Sequence, residues 1–305
     1  MAATAFPAPG RIVANLQLPI QAQSQLFVQP WEIDSGPEVI RDIAQSADRA
    51  GFWSVGVCDH TTVPERLASG MGTTWYDTVA TLSWVAACTE SVRLLSHVWV
   101  APLHHPLQAA KAFATLDRLS GGRVVIGVGA GHVPEEFAAL GVDFHRRGAL
   151  LDEAIDTMKA ALSNEFVDGM GIAPRPQQQP RPPIWVGGSS PAALRRAALR
   201  GDGWLPQGTR RAEMPAQIAQ IQRIRDEARR DGPFVMGGIA DWFYVGTPKW
   251  ACGPVTSGSP EHLADVVADY RDIGVQHLMV HFRSRSAAEQ CDQIEQFGRD
   301  VLRLV

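Results

Sequence analysis

The stretch PPIWVGGSSPAALRRAALRGDGWLP, Pro182 to Pro206, reads as a strand, a turn, a helix and a second strand. Ile184, Trp185 and Val186 form a short apolar run that stops at Gly187 and Gly188. Ser190 suits a helix N-cap, and Pro191 suits the first helical position, where a missing N–H is no loss. The Ala-, Leu- and Arg-rich run continues the helix, and Gly203, Trp204 and Leu205 begin a strand again. A helix between two strands is the connection that parallel pairing needs.

The same junction has chemical potential. The first turn of a helix points unpaired N–H groups outward at the positive end of its dipole. Two glycines place no side chain in front of them. That combination suits an anion, phosphate above all. The alternative is a tight βα turn whose glycines serve backbone geometry alone.

Outward from this unit the alternation repeats. RIVANLQL (Arg11–Leu18), WSVGVCDH (Trp53–His60), SVRLLSHVWVAP and RVVIGVGAG read as strands one to four. FVMGGIADWFYVG and VQHLMVHF read as strands seven and eight, with apolar-periodic helices between the strands. DGMGIAPRPQQQPRPP reads as loop. No internal repeat and no second domain are evident. The pattern predicts an α/β fold, and the strand count favours a closed (β/α)8 TIM-like barrel over an open doubly wound sheet.

Composition sets outer bounds. The chain has 305 residues, 45% hydrophobic and 20% charged, enough for one large core. A net charge of −4 gives no footing for nucleic acid or for a polybasic membrane contact. No run approaches the ~20 apolar residues of a membrane span. MAATAFPAPGR lacks the basic and apolar regions of a signal peptide. Cys58, Cys88, Cys252 and Cys291 are widely spaced, so no metal and reduced thiols in a cytoplasmic protein are expected.

In a barrel, chemistry sits where strands end. Strand two ends in Asp59 and His60, strand three near Ser96, His97, Val98 and Trp99. Strand four ends in Gly127, Gly129, Ala130, Gly131 and His132, strand five in Gly187, Gly188 and Ser189, and strand eight in His281. GVGAGHVPEEF is not GxGxxG and lacks an acidic ribose partner, which argues against a nicotinamide site. Its glycines suit a flat ring lying on the backbone. Imidazoles titrate near neutrality, so His60 and His132 are candidates for proton transfer. His104 and His105 read as structural. Arg146 and Arg147 open a helix and read as surface residues, with an anion contact as the alternative.

GFWSVGVCDH, LHHPLQAAKAFATLDRLSGGRVVIGVGAGHVPEEFAALGVDFHRRGALLDEAI, the Pro182–Pro206 stretch and YRDIGVQHLMVHF occur in that order. From about Arg11 onward the chain resembles the bacterial luciferase-like flavin- or deazaflavin-dependent oxidoreductases. It is most similar to the actinobacterial branch that uses coenzyme F420. The resemblance implies one barrel domain over residues 1–305, with 1–10 disordered, and a ring at the barrel mouth. It implies phosphate contacts at Gly187, Gly188, Ser189, Ser190 and Ala192, and ring contacts at Asp59, Gly129, Ala130 and Gly131. It places Asp59 and His60 at positions that face the ring or the reacting substrate atom, and His60 and His132 stand as the candidate catalytic residues. A non-prolyl cis peptide behind the ring falls at His97-Val98, or at Ser96-His97.

The implied activity is hydride transfer between F420 and an unidentified small organic substrate. The alternatives are an FMN-dependent monooxygenase, using O2 and flavin reduced by a separate reductase, and a non-catalytic flavin-binding protein. A homodimer is implied, without nucleic-acid or membrane partners. Arg195, Arg196, Arg210 and Arg211 are candidates to meet the acidic tail of F420. Two departures stand out. His132 occupies the place of a glutamate found in deazaflavin-dependent sugar-phosphate dehydrogenases. The segment before PPIWVGG is shorter than the aromatic-containing one that walls the substrate pocket of many relatives.

Overall fold

Eight parallel strands close into a ring. They are β1 (Val13–Gln17), β2 (Ser54–Val57), β3 (Arg93–Val100), β4 (Val124–Gly129), β5 (Ile184–Gly187), β6 (Gly203–Leu205), β7 (Val235–Val245) and β8 (His277–Phe282). Each pairs with the next in parallel, and β8 returns to β1. The computed structural model describes residues 6–305 except 9 and 26. Part of the segment expected to be disordered, residues 1–5 and 9, lies outside the described residues. Among the described residues no helix is long and apolar enough to cross a membrane.

The helices form an outer layer. They are α1 (Pro37–Arg49), α2 (Glu65–Met71), α3 (Thr78–Cys88), α4 (Pro106–Leu119), α5 (Pro134–Ala139), α6 (Arg147–Ser163), α7 (Pro191–Arg200), α8 (Met214–Glu227), α9 (Pro260–Asp272) and α10 (Ala287–Gln296). Two apolar zones result. Ile184 and Val186 of β5 join the larger zone with Ile40, Phe113, Ile155 and Leu194 from the helices. Trp185, between them in sequence, faces the other way, into a zone with Leu95, Val125, Leu205 and Val235. This is the two-residue strand period at work, and burial on both faces explains why the strand reads as solidly apolar. Phe6, Trp53 and Val98 pack against this inner zone. Trp53 stacks on Trp185 at 5.6 Å, and the Arg93 guanidinium lies 4.4 Å from the Trp53 ring centre.

Three elements depart from the reading of the sequence. Helix α2 forms in the β2 loop without burying a single residue, so no apolar period announced it. The Pro- and Gln-rich connection contains a two-stranded antiparallel hairpin, Phe166–Val167 with Met170–Gly171. A short strand, Thr256–Gly258, pairs with the outer end of β7.

Candidate active site

A cavity of about 520 Å³ opens at the carboxyl ends of the strands. Asp59, His60, His97, Val98, Gly129, Ala130, Gly131, His132, Gly187, Gly188 and Ser190 all line it. Ser96, Ser189 and Ala192 do not. Ser96 is fully buried, and its hydroxyl accepts from the Gly127 amide and donates to the Gly127 carbonyl, both at 2.9 Å. Ser189 Oγ accepts from the Gln207 amide at 2.9 Å and bonds the Thr209 hydroxyl. Ala192 is exposed on the first turn of α7. Asp59 Oδ2 accepts from the Val100 amide at 2.9 Å and from His104 Nε2 at 3.0 Å, tying the ends of β2 and β3 together.

The sequence reading missed the group that completes His60. Glu136, on α5, has its carboxylate fully buried, 3.0 Å from His60 Nδ1. Its other oxygen accepts from the Thr61 and Thr62 amides. A carboxylate only accepts, so Nδ1 carries the proton, and among the described residues no group bonds Nε2. Burial raises the Glu136 carboxyl, but the His60 bond and charge and the two amides outweigh it, and the net shift is downward. Trp75 packs edge-on against His60 at 4.5 Å, and His132 does so at 5.4 Å. Burial, and then His60 itself, hold His132 below the usual histidine range, against the pull of Glu136. As an acid in the first turn of a helix, Glu136 sits where ordinary dipole compensation places acids, so its position alone carries no signal of a site.

The back of the cavity is β3. The His97-Val98 peptide is cis, the first of the two positions expected. The β3–β4 register shifts across this point, between Ser96 and Trp99. A Cβ on Gly129 would stand 2.7 Å from Val98 Cγ2, and one on Gly187 would stand 2.7 Å from Val98 Cγ1. These glycines therefore make room for Val98, a packing reason that the flat-ring reading had not supplied. Burial, and then His281, push the His97 imidazole down to about 4.

The β5–α7 turn has the form read from the sequence. Ser190 caps α7 by accepting from the Ala193 amide at 3.2 Å. Gly188 adopts a φ of +114°, open to glycine and strained for other residues. Its own amide is spent on the Leu205 carbonyl, and its carbonyl accepts from Trp204 Nε1. Among the described residues, no hydrogen bond engages the amides of Ser189, Ser190 and Ala192. Arg147 and Arg196 line the cavity. Arg147 lies 4.0 Å from the Phe144 ring centre, and Arg196 is fixed to Asp152 at 2.7 Å. Of the four arginines assigned to a cofactor tail, only Arg196 lines the cavity. Arg210 pairs with Glu213 and Arg211 with Asp269.

The loop between β1 and α1 closes one side. Glu32 accepts from the Ile20 and Gln29 amides, and the Gln29 side chain donates to the Phe282 carbonyl and accepts from the Ser284 amide. Phe27 and Trp242 flank His281 with ring centres 5.5 and 5.2 Å away.

A closed parallel barrel with its cavity at the carboxyl ends, a glycine turn and a buried imidazole–carboxylate pair defines a TIM-barrel enzyme site. Residues 20–240 match the model of the luciferase-like monooxygenase family, and the chain belongs to that family of oxidoreductases. An uncharacterized protein of Mycobacterium tuberculosis, Rv0940c, is 31% identical over 223 residues, 67% of this chain and 77% of its own. Two solved structures share the fold at low identity. Monooxygenase RslO1 from Streptomyces bottropensis has a TM-score of 0.75 at 19% identity, over 95% of this chain and 99% of its own. The F420-dependent tetrahydromethanopterin reductase from Methanopyrus kandleri has a TM-score of 0.73 at 17% identity, over 96% and 99%.

Proposed function

We propose that the protein transfers a hydride between coenzyme F420 and a small organic substrate. The observation that carries this reading is the His60–Glu136 pair at the cavity wall. Oxidising an alcohol removes a hydride from carbon and a proton from oxygen. His60 Nε2, held in one tautomer by Glu136, takes the hydroxyl proton, and in the reverse direction gives it back. The residues fit the phosphate that F420 carries. The unengaged amides of Ser189, Ser190 and Ala192 sit at the N-terminal end of α7, with Arg147 and Arg196 at the cavity wall. Gly129, Gly131 and the His97-Val98 segment would face the ring. When bound, the deazaflavin would supply hydride exchange at C5.

FMN-dependent oxygenation is the second reading, favoured by the match to a monooxygenase family model. Fluorescence titration of the apo-protein with each cofactor separates the two. F420 is expected to bind more tightly, and added salt is expected to weaken F420 more than FMN, because exposed charge pairs are screened within ~10 Å at 0.1 M. Tighter FMN binding without a salt-sensitive advantage for F420 moves the assignment to the monooxygenase. Binding of neither removes the cofactor reading.

A further inference from the structure

A chain of buried polar side chains crosses the barrel interior. Asn15, Ser54 and His277 are sealed from solvent, and they lead to His97, which lines the cavity. Ser54 Oγ lies 2.8 Å from Asn15 Oδ1 and 2.8 Å from His277 Nε2. Asn15 Nδ2 lies 3.5 Å from His97 Nδ1, a long bond. Strand β2 makes room for this imidazole: a Cβ on Gly56 would stand 3.2 Å from His97 Cβ and 3.3 Å from Nδ1. Burial, and after it a neighbouring imidazole in each case, hold His97 and His277 neutral, so each ring carries one proton.

A serine hydroxyl has one proton to give, so the chain has two directions open to it. In one, Ser54 donates to His277 Nε2, and His277 carries its proton on Nδ1. That atom is buried beside the Trp53 and Trp185 rings, with no partner outside its own residue. An unpaired buried N–H is costly. In the other, His277 Nε2 donates to Ser54, Ser54 to Asn15 Oδ1, and Asn15 Nδ2 to His97 Nδ1. Only a bare lone pair is then left on His277, the lesser penalty. The second direction puts the His97 proton on Nε2. That nitrogen has no hydrogen bond among the described residues and, unlike His277 Nδ1, is not sealed from solvent. The open space its residue borders is the cavity.

We infer that Ser54 and Asn15 are positioning residues that fix His97 as the Nε2–H tautomer, so that the back of the cavity presents a neutral donor to a carbonyl oxygen or bare nitrogen of the cofactor's ring. This rests on reading the cavity as a flavin or deazaflavin site with the ring over the His97-Val98 segment. The role is separate from the proton transfer at His60, because His97 keeps its proton.

Long-range proton–nitrogen NMR spectra of the apo-protein, isotope-labelled at the histidine nitrogens and assigned from the backbone, read the tautomer directly. His97 is expected to show a protonated Nε2 and a bare Nδ1. A proton on Nδ1 overturns the relay, and this arm requires no variant. In Asn15→Leu, which cannot donate, the His97 proton is expected to spread over both nitrogens. A tautomer unchanged from wild type overturns the positioning role. Fluorescence titration with FMN and with F420 tests the ring contact. His97→Leu is expected to weaken the cofactor that wild type binds by on the order of tenfold, the size of one neutral hydrogen bond, whereas His97→Gln, whose amide keeps a donor near Nε2, stays within about twofold of wild type. Wild-type affinity in His97→Leu overturns the ring contact. Equal losses in the two variants make the imidazole a packing group instead. If neither cofactor binds the wild-type protein, the cofactor reading fails and the ring contact with it, while the spectra still decide the relay.

Discussion

Glu32 and Glu136 are buried carboxylates that each accept from a pair of backbone amides, and their protonation shifts in opposite directions. Burial dominates at Glu32 and raises it. At Glu136 the His60 partner tips the balance and lowers it. A lowered carboxyl contributes stability that is full above its unfolded value, about 4.5, and is lost as pH falls through the lower folded value. A raised one contributes most below about 4.5 and least after pH has risen through the folded value. Urea midpoints of Glu136→Gln and wild type should therefore differ most above pH 5 and converge toward pH 3. A gap that widens on acidification would reverse the assignment. His60→Ala should lower turnover by on the order of 10²-fold in F420-reduction assays over a panel of simple alcohols, with cofactor affinity nearly intact. Turnover equal to wild type would leave His60 a structural residue.

At the scale of elements, the β1 loop is a strap fastened at both ends. Glu32 gathers the Ile20 and Gln29 amides, and Gln29 clips the loop to the end of β8. Glu32→Ala leaves two buried amides unpaired, at roughly 1–3 kcal/mol each. Amide exchange at Ile20 and Gln29 should accelerate far more than exchange in β3 or β4. Uniform acceleration would show that Glu32 supports the whole barrel. The eight strands were legible because each carries a β-type apolar run set off by glycine and polar breaks. The capped glycine turn at 187–192 was legible because cap and turn signals are local. Helix α2 and the 166–171 hairpin were not, since neither presents a buried period. The Glu136–His60 contact was not legible for another reason: it joins loops that are distant in sequence, and only ring closure brings them together. The glycines at 129 and 187 were legible as positions, but their debt to Val98 was not.

For the whole molecule, Trp185 is the hub of the inner zone, stacked on Trp53 and edge-on to His277 at 4.9 Å. Trp185→Ala should cost ~3–5 kcal/mol in urea denaturation. A change below ~1 kcal/mol would mean that the zone collapses around the missing ring. The barrel is also unequally sewn. β6 has three residues, and its pairing with β7 is registered at only two positions, Gly203 with Val235 and Trp204 with Met236. That short seam holds the cylinder shut. Next to it, Gly188 is bonded in both directions to β6, through the Leu205 carbonyl and Trp204 Nε1. Any anion seated on the adjoining turn thus grips the shortest stave of the barrel through its neighbour. Occupancy there acts as a rivet against transient opening: ligand should slow amide exchange at Trp204 and Val235 before it raises protection elsewhere, so the chain's resistance to unravelling becomes a gauge of what it has bound.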